Sequence, residues 1–85
     1  MASKDKVTVF PGIESVPGVI GGDPVIAQTR IPVWLLVEIR RSGVSDAELL
    51  REYPSLTSND LANAWAYYEA NQDEIDRQIE ENENA

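Results

Sequence analysis

Ser45-Asp46-Ala47-Glu48-Leu49-Leu50-Arg51-Glu52-Tyr53-Pro54-Ser55-Leu56-Thr57-Ser58-Asn59-Asp60-Leu61 carries two helix starts and one helix stop in a single short stretch. Ser45 and Glu48 have the spacing of a capping box. In that device the first side-chain oxygen accepts from a backbone N–H three residues on, and the later carboxylate reaches back to the first backbone N–H. Asp46–Glu52 then reads as a short helix with Ala47, Leu49, Leu50 and Tyr53 facing inward. Pro54 stops it, because proline cannot continue a helical hydrogen-bond ladder. Thr57 and Asp60 repeat the capping pattern and open another helix. Two helices joined this tightly predict a helix-turn-helix arrangement.

Upstream, Pro32-Val33-Trp34-Leu35-Leu36-Val37-Glu38-Ile39-Arg40-Arg41 reads as the first helix. Proline suits a first helical position, and Gly43 supplies the left-handed residue that commonly closes a helix. Arg40 and Arg41 fall in the last turn, where cations suit the helix dipole. Apolar residues cover nearly the whole circumference, so the helix is expected to be buried on every side. In a chain of 85 residues that predicts a homodimer, with Trp34, Leu35 and Val37 at the interface.

Downstream, no Gly or Pro interrupts the chain after Thr57. Leu61, Trp65, Tyr68, Gln72, Ile75 and Ile79 follow one another at coiled-coil-like spacing, with Gln72 as the polar interruption. One long helix is predicted. Running to Glu81 it would measure about 36 Å, longer than the small body beside it. Ile75 and Ile79 are then expected to protrude and to meet a partner, flanked by Gln72 and Glu80. The competing expectation is that they fold back onto the first helix as core.

Before the first helix the chain is full of breakers: Pro11, Gly12, Pro17, Gly18, Gly21, Gly22 and Pro24. Val7–Phe10 reads as an edge strand, and residues 19–31 as a small hairpin or irregular extended unit with a turn at Gly21-Gly22-Asp23. Gly21-Gly22 lacks the pattern of a phosphate loop, and Asp23 would repel phosphate. Arg30 is expected to serve structure, joining the extended unit to the helix. The expected organisation is a disordered arm at 1–6, a domain at 7–70 and an acidic helical tail at 71–85.

Charge and composition narrow the function. The net charge is −8, and the segment Glu69–Ala85 holds seven acids against Arg77 alone. Nucleic-acid binders are normally basic, because phosphate neutralisation supplies most of their affinity. Histidine and cysteine are both absent. That removes imidazole-based catalysis, thiol nucleophiles and the usual zinc ligands. No enzyme activity, metal or cofactor is expected. Asp73, Glu74 and Asp76 are near one another but form no metal-loop pattern, so they read as a solvated face. No signal peptide or membrane span is visible, which places the expected location in the cytoplasm.

The candidate DNA-contact residues are Thr57, Ser58, Asn59 and Asn63 at the start of the second motif helix, with Arg40, Arg41 and Arg51 as phosphate contacts. Trp65 and Tyr68 read as core, and Tyr67 as either core or a stacking surface.

The run Val16–Val33, with Gly21-Gly22, Pro24-Val25-Ile26 and Thr29-Arg30-Ile31-Pro32-Val33, resembles the N-terminal signature of the domain-of-unknown-function family number 433. Gly43-Val44-Ser45, Glu48-Leu49-Leu50, Tyr53-Pro54-Ser55-Leu56-Thr57 and Asp60-Leu61 are similar to its second half. The resemblance covers about residues 7–70. It implies a small helix-turn-helix domain with a preceding β element, often dimeric and without known catalytic residues. It also implies a resemblance to VapB-type antitoxins that pair with a PIN-like ribonuclease toxin. Two departures stand out. Asp23 stands where a Lys is common, and Ala27-Gln28 where a basic residue and Gly are common. Together these readings predict a mainly α, three-helix helix-turn-helix-like domain with a small N-terminal β element and a long C-terminal helix. The expected function is that of an antitoxin-like protein, neutralising a ribonuclease and binding operator DNA weakly as a dimer. The rival is an acidic protein-interaction or adaptor module that never touches nucleic acid.

Overall fold

The computed structural model describes residues 7–15 and 22–83. The expected arm at 1–6 lies outside the described residues. Three short strands, β1 (Val7–Phe10), β2 (Ile13–Ser15) and β3 (Val25–Ile26), precede four helices. These are α1 (Val33–Arg41), α2 (Asp46–Glu52), α3 (Ser58–Ala70) and α4 (Gln72–Glu83). The protein is therefore mainly α, with a small antiparallel sheet.

The sheet order is β1-β2-β3, which leaves β1 at an edge as expected. Pro11-Gly12 joins β1 to β2, and Gly12 takes φ +76°. Proline followed by a positive-φ glycine is what a type II turn requires. An added Cβ at Gly12 would also collide with the Asn63 side chain of α3. Ile13 pairs with Ile26 across β2 and β3, and both are fully buried. The register slips between Thr8 and Phe10. Val7 and Val9 stay about half exposed, at 50% and 45%.

β3 folds back on the entry to α1. Val25 bridges Pro32, and the Ile26 N–H donates to the Ile31 carbonyl at 2.9 Å. A tight turn lies at Ala27–Arg30, and Gly22, at φ +82°, has the conformation expected of the turn at Gly21-Gly22-Asp23, of which Gly21 is outside the described residues. Gln28 is left-handed at φ +67°, and the Thr29 hydroxyl braces the turn by donating to the Ile26 carbonyl at 2.8 Å. Arg30, expected to join this unit to the helix, is exposed on the turn.

Pro32 caps α1 from outside the first helical residue, and Gly43, at φ +102°, follows its end. Both capping boxes form in full. Glu48 N–H donates to Ser45 Oγ at 3.2 Å and Ser45 N–H to Glu48 Oε1 at 2.9 Å. Asp60 N–H donates to Thr57 Oγ1 at 3.1 Å and Thr57 N–H to Asp60 Oδ2 at 3.0 Å. The Ser45 backbone N–H and hydroxyl hold the Glu48 carboxyl below its usual range. On α2, Leu49 is buried and Leu50 and Tyr53 half-buried, but Ala47, expected inside, is exposed.

Two expectations need correction. The predicted long helix is bent. Asn71, at φ −141° and ψ 43°, ends α3 and accepts the first helical bond of α4 from the Ile75 N–H at 3.2 Å. Ile75 and Ile79 do not protrude. They are 0% and 3% exposed, and α4 lies back against α1. The physical reason is the small body: a straight helix would carry both isoleucines past anything able to cover them. The same docking corrects α1. Its Val33, Leu36 and Val37 are buried inside their own chain, while Trp34, Leu35 and Ile39 are half-buried. Val37 is therefore not a free dimer contact.

One core joins these elements: Ile13, Ile26, Val33, Leu36, Val37, Leu49, Leu56, Leu61, Ala64, Tyr67, Ile75 and Ile79. Tyr67 meets Phe10 edge-on at 5.4 Å between ring centroids, tying α3 to the sheet. No helix among the described residues is long and apolar enough to cross a membrane.

Candidate interaction surfaces

The helix ends decide which charges are free. Arg40 and Arg41 leave α1 side by side, and each lands on an aromatic ring of α3. The Arg40 guanidinium carbon lies 4.3 Å from the centroid of the Trp65 ring. Trp65 Nε1–H in turn donates to Asp46 Oδ2 at 3.3 Å, so one indole links the ends of α1 and α2. Arg41 donates to the Tyr68 hydroxyl at 2.7 Å and pairs with Asp76 of α4. Tyr68 OH donates to the same Asp76 oxygen at 2.9 Å. The hydrogen bond to the Tyr68 hydroxyl leads in raising the Arg41 pKa above its ordinary value, with Asp76 adding to it. Both arginines proposed as phosphate contacts thus already have partners within the chain. A charge so engaged gains less from a phosphate than a free one.

The other DNA-contact candidates are scattered in their roles. Arg51 is exposed on α2. Thr57 is exposed, and its hydroxyl is committed to the α3 cap. Ser58 and Asn59 are exposed at the start of α3. Asn63 is half-buried and packs against Gly12 of the β1–β2 turn. Of the seven residues, Arg51, Ser58 and Asn59 are thus exposed, while Arg40 and Arg41 are engaged within the chain.

Acids dominate the outward side of α4. Gln72, Asp73, Arg77, Glu80, Glu81 and Glu83 are exposed, whereas the inward positions hold Ile75 and Ile79. The partner-contact set of Gln72, Ile75, Ile79 and Glu80 therefore splits, with only Gln72 and Glu80 open to solvent. Glu74 is half-buried and accepts from Tyr67 OH at 2.7 Å. Burial leads in pushing the Tyr67 phenol pKa up, and the Glu74 hydrogen bond adds to it.

One acidic neighbourhood escaped sequence reasoning. Asp23, on the loop before β3, lies within electrostatic range of Glu81 and Glu74 of α4. Burial raises the Asp23 pKa first. The nearby Trp34 indole N–H pulls it down, and repulsion from the two glutamates raises it again. That indole N–H makes no well-formed hydrogen bond and is hidden from solvent. Trp34, expected at a dimer interface, packs mainly on its own core. The unusual acid at position 23 was visible in the sequence, but its neighbours over fifty residues away were not. Asp73, Glu74 and Asp76 do not converge, and among the described residues no three His, Cys, Asp or Glu side chains are placed to hold a metal ion.

Comparison with known proteins gives the same family as the motifs. The curated protein y4eO of Sinorhizobium fredii (strain NBRC 101917 / NGR234), described as uncharacterized, is 36% identical over 59 residues. That match covers 69% of this chain and 27% of the relative, so the chain spans about a quarter of that protein's length. The crystal structure of a DUF433 member protein from Anabaena variabilis ATCC 29413 superposes with a TM-score of 0.78 at 54% identity. It covers 80% of this chain and 67% of the other. The profile described as "Protein of unknown function (DUF433)" matches residues 13–68, from the first core residue of β2 through most of α3, and the chain belongs to that family.

Proposed function

We propose that this protein is an antitoxin-like binding protein, not an enzyme, and that the acidic outer face of α4 masks the basic RNA-binding groove of a PIN-like ribonuclease. The observation that carries this reading is the division of labour on α4. Its two isoleucines hold the helix to α1, which frees Asp73, Glu80, Glu81 and Glu83 to face a partner. Charge complementarity of that kind speeds encounter and selects the partner. α2 and α3 form the helix-turn-helix pair in this reading, with Ser58, Asn59 and Arg51 as its open DNA contacts. Operator binding is weak, because Arg40 and Arg41 are engaged within the chain. Leu35 and the outer edge of Trp34 are the half-exposed contacts left on α1 for a dimer.

The rival adaptor reading draws on that same engagement of the arginines, and DNA separates the two. Weak binding to the protein's own upstream DNA, with the shallow salt slope that few phosphate contacts give, supports the antitoxin reading, and its absence at low salt supports the adaptor. The main test is co-expression with the product of the neighbouring reading frame, followed by co-purification and a ribonuclease assay. A variant with Asp73→Asn, Glu80→Gln, Glu81→Gln and Glu83→Gln is expected to melt no lower than the parent and to lose inhibition. Full inhibition by that variant would show that α4 is not the contact.

A further inference from the structure

The bend at Asn71 is not made by a helix-breaking residue. No Gly or Pro lies between Thr57 and Glu83, and a single residue separates the two helices. At about 3.6 residues per turn, Leu61, Ala64, Tyr68, Ile75 and Ile79 would all fall on one side of a continuous helix. Asn71 holds both helices by backbone and its own amide alone: its N–H donates to the Tyr68 carbonyl at 3.1 Å, its side-chain amide to the Tyr67 carbonyl at 3.0 Å, and its carbonyl accepts from the Ile75 N–H at 3.2 Å. What holds α4 bent lies on other elements. Ile75 and Ile79 are buried where α4 meets α1, and Asp76 pairs with Arg41. Straightening the elbow therefore breaks two contacts that span it, Tyr67–Glu74 and Tyr68–Asp76. It leaves α1 with an apolar groove and α4 with an apolar stripe that fit each other.

We propose that α4 is an exchangeable element: with the Asn71 elbow straightened into one α3–α4 helix, two copies dock α4 on each other's α1. The occupant of the vacated groove is a second copy, because the groove is complementary to Ile75, Ile79 and Asp76 of this same sequence. A short hinge whose ends favour a continuous helix is the usual setting for such exchange. Every contact between α1 and α4 is kept in trans. The two hydrogen bonds across the elbow are lost, and the restored helical hydrogen bonds through residue 71 offset them. The inference stands on the α3–α4 junction alone and does not depend on whether the acidic face masks a ribonuclease.

The chain has no cysteine, so introduced thiols are unambiguous. Arg41→Cys and Asp76→Cys are made in separate full-length chains, mixed, warmed to allow exchange, and treated with a short bismaleimide. A covalent dimer joining position 41 of the first variant to position 76 of the second, mapped by peptide mass, is the expected product. In parallel, sedimentation from micromolar to millimolar concentration compares the parent with Asn71→Ala, which favours the straight helix, and with a Gly-Gly-Ser-Gly insertion after Asn71, which relieves the elbow. Dimer association is expected to rise at least about tenfold for Asn71→Ala and to fall at least about tenfold for the insertion. The proposal is overturned if Asn71→Ala associates no more strongly than the parent. It is equally overturned if dimers form without the 41-to-76 cross-link, since the interface is then another surface such as Leu35 and Trp34. Far-ultraviolet circular dichroism of both hinge variants confirms that a null result comes from folded protein.

Discussion

The start of α3 and the start of α4 lie fourteen residues apart and are specified in opposite ways. At the first, Thr57 and Asp60 satisfy one another's backbone N–H groups, so four consecutive residues contain the whole instruction. At the second, Asn71 caps nothing that a sequence pattern would demand. The break is imposed from outside by the burial of Ile75 and Ile79 against α1. A local signal survives changes elsewhere in the fold, whereas an imposed break lasts only as long as the contacts that impose it.

The sharpest way to break this contrast is to remove those contacts. Ile75→Ala or Ile79→Ala alone is expected to cost about 2–5 kcal/mol, the usual range for deleting a fully buried isoleucine side chain. A domain of this size is stable by only about 4–13 kcal/mol in all. The double variant should therefore lose its cooperative melt near room temperature, or keep α1–α3 while α4 detaches. Thermal denaturation followed by near-ultraviolet dichroism, reading Trp34, Trp65 and the tyrosines, distinguishes the parent from either outcome. A double variant that melts within a few degrees of the parent would mean that α4 is not part of the core.

The local signal predicts a smaller and more confined loss. Thr57→Ala removes the oxygen that accepts the Asp60 N–H and should cost about 1 kcal/mol. Ser45→Ala should do the same for α2. Hydrogen exchange is expected to quicken in the first turn of the affected helix and to leave the α4 amides unchanged. Faster exchange throughout α4 would show that the two helix starts are coupled after all.

How much was legible in the sequence follows the same division. The β1 edge strand, the Gly43 stop and both capping boxes rest on neighbours within four residues, and each forms as read. The isoleucines' need for burial was equally plain, but its destination was not, because it depends on how far the folded body reaches. The arginines show the same limit from the electrostatic side. Charges at the end of α1 are visible as a run of two, yet their partners Trp65, Tyr68 and Asp76 come from later helices. Reading Arg40 and Arg41 as free cations was the natural reading of a line of text, and the packed chain spends both on itself. Asp23 is the acidic counterpart, meeting Glu74 and Glu81 only after α4 folds back.

A third comparison pits backbone strain against both. Gln28 sits at φ +67°, a conformation in which a Cβ crowds its own carbonyl. Gln28→Gly is expected to stabilise the protein by about 0.5–1 kcal/mol, the relief of strain exceeding the extra freedom gained by the unfolded chain. Its N–H, which donates to Glu14 Oε1 at 3.3 Å, is retained in the variant. Urea denaturation with an unchanged slope and a higher midpoint would register the gain. A lower midpoint would mean that the turn hydrogen bonds of Thr29 already absorb the strain.

The smallest effect tests whether α4 is held against opposition. Asp23 has a folded-state pKa raised above its ordinary value of 3.8, first by burial and then by Glu81 and Glu74. A carboxyl with a raised folded pKa binds its proton more tightly in the native state. Stability due to Asp23 is therefore full below pH 3.8 and declines as pH climbs through the folded pKa, so that at neutral pH the ionised group opposes folding. Asp23→Asn removes that opposition. The gain at neutral pH should be no more than about a few tenths of a kcal/mol, because solvent screens a carboxylate that is only partly buried. It should vanish when the melt is repeated below pH 3.8, where parent and variant are both neutral at this position. Glu81→Gln attacks the same repulsion from α4, so the two gains should fall short of additivity when combined. Glu48 runs the other way and makes a useful internal control. Its folded pKa lies below 4.5, so its contribution is present above that value and lost as pH falls. An Asp23→Asn gain that persisted below pH 3.8 would show that the change acts through the shape of the loop before β3, and that α4 docks without electrostatic cost.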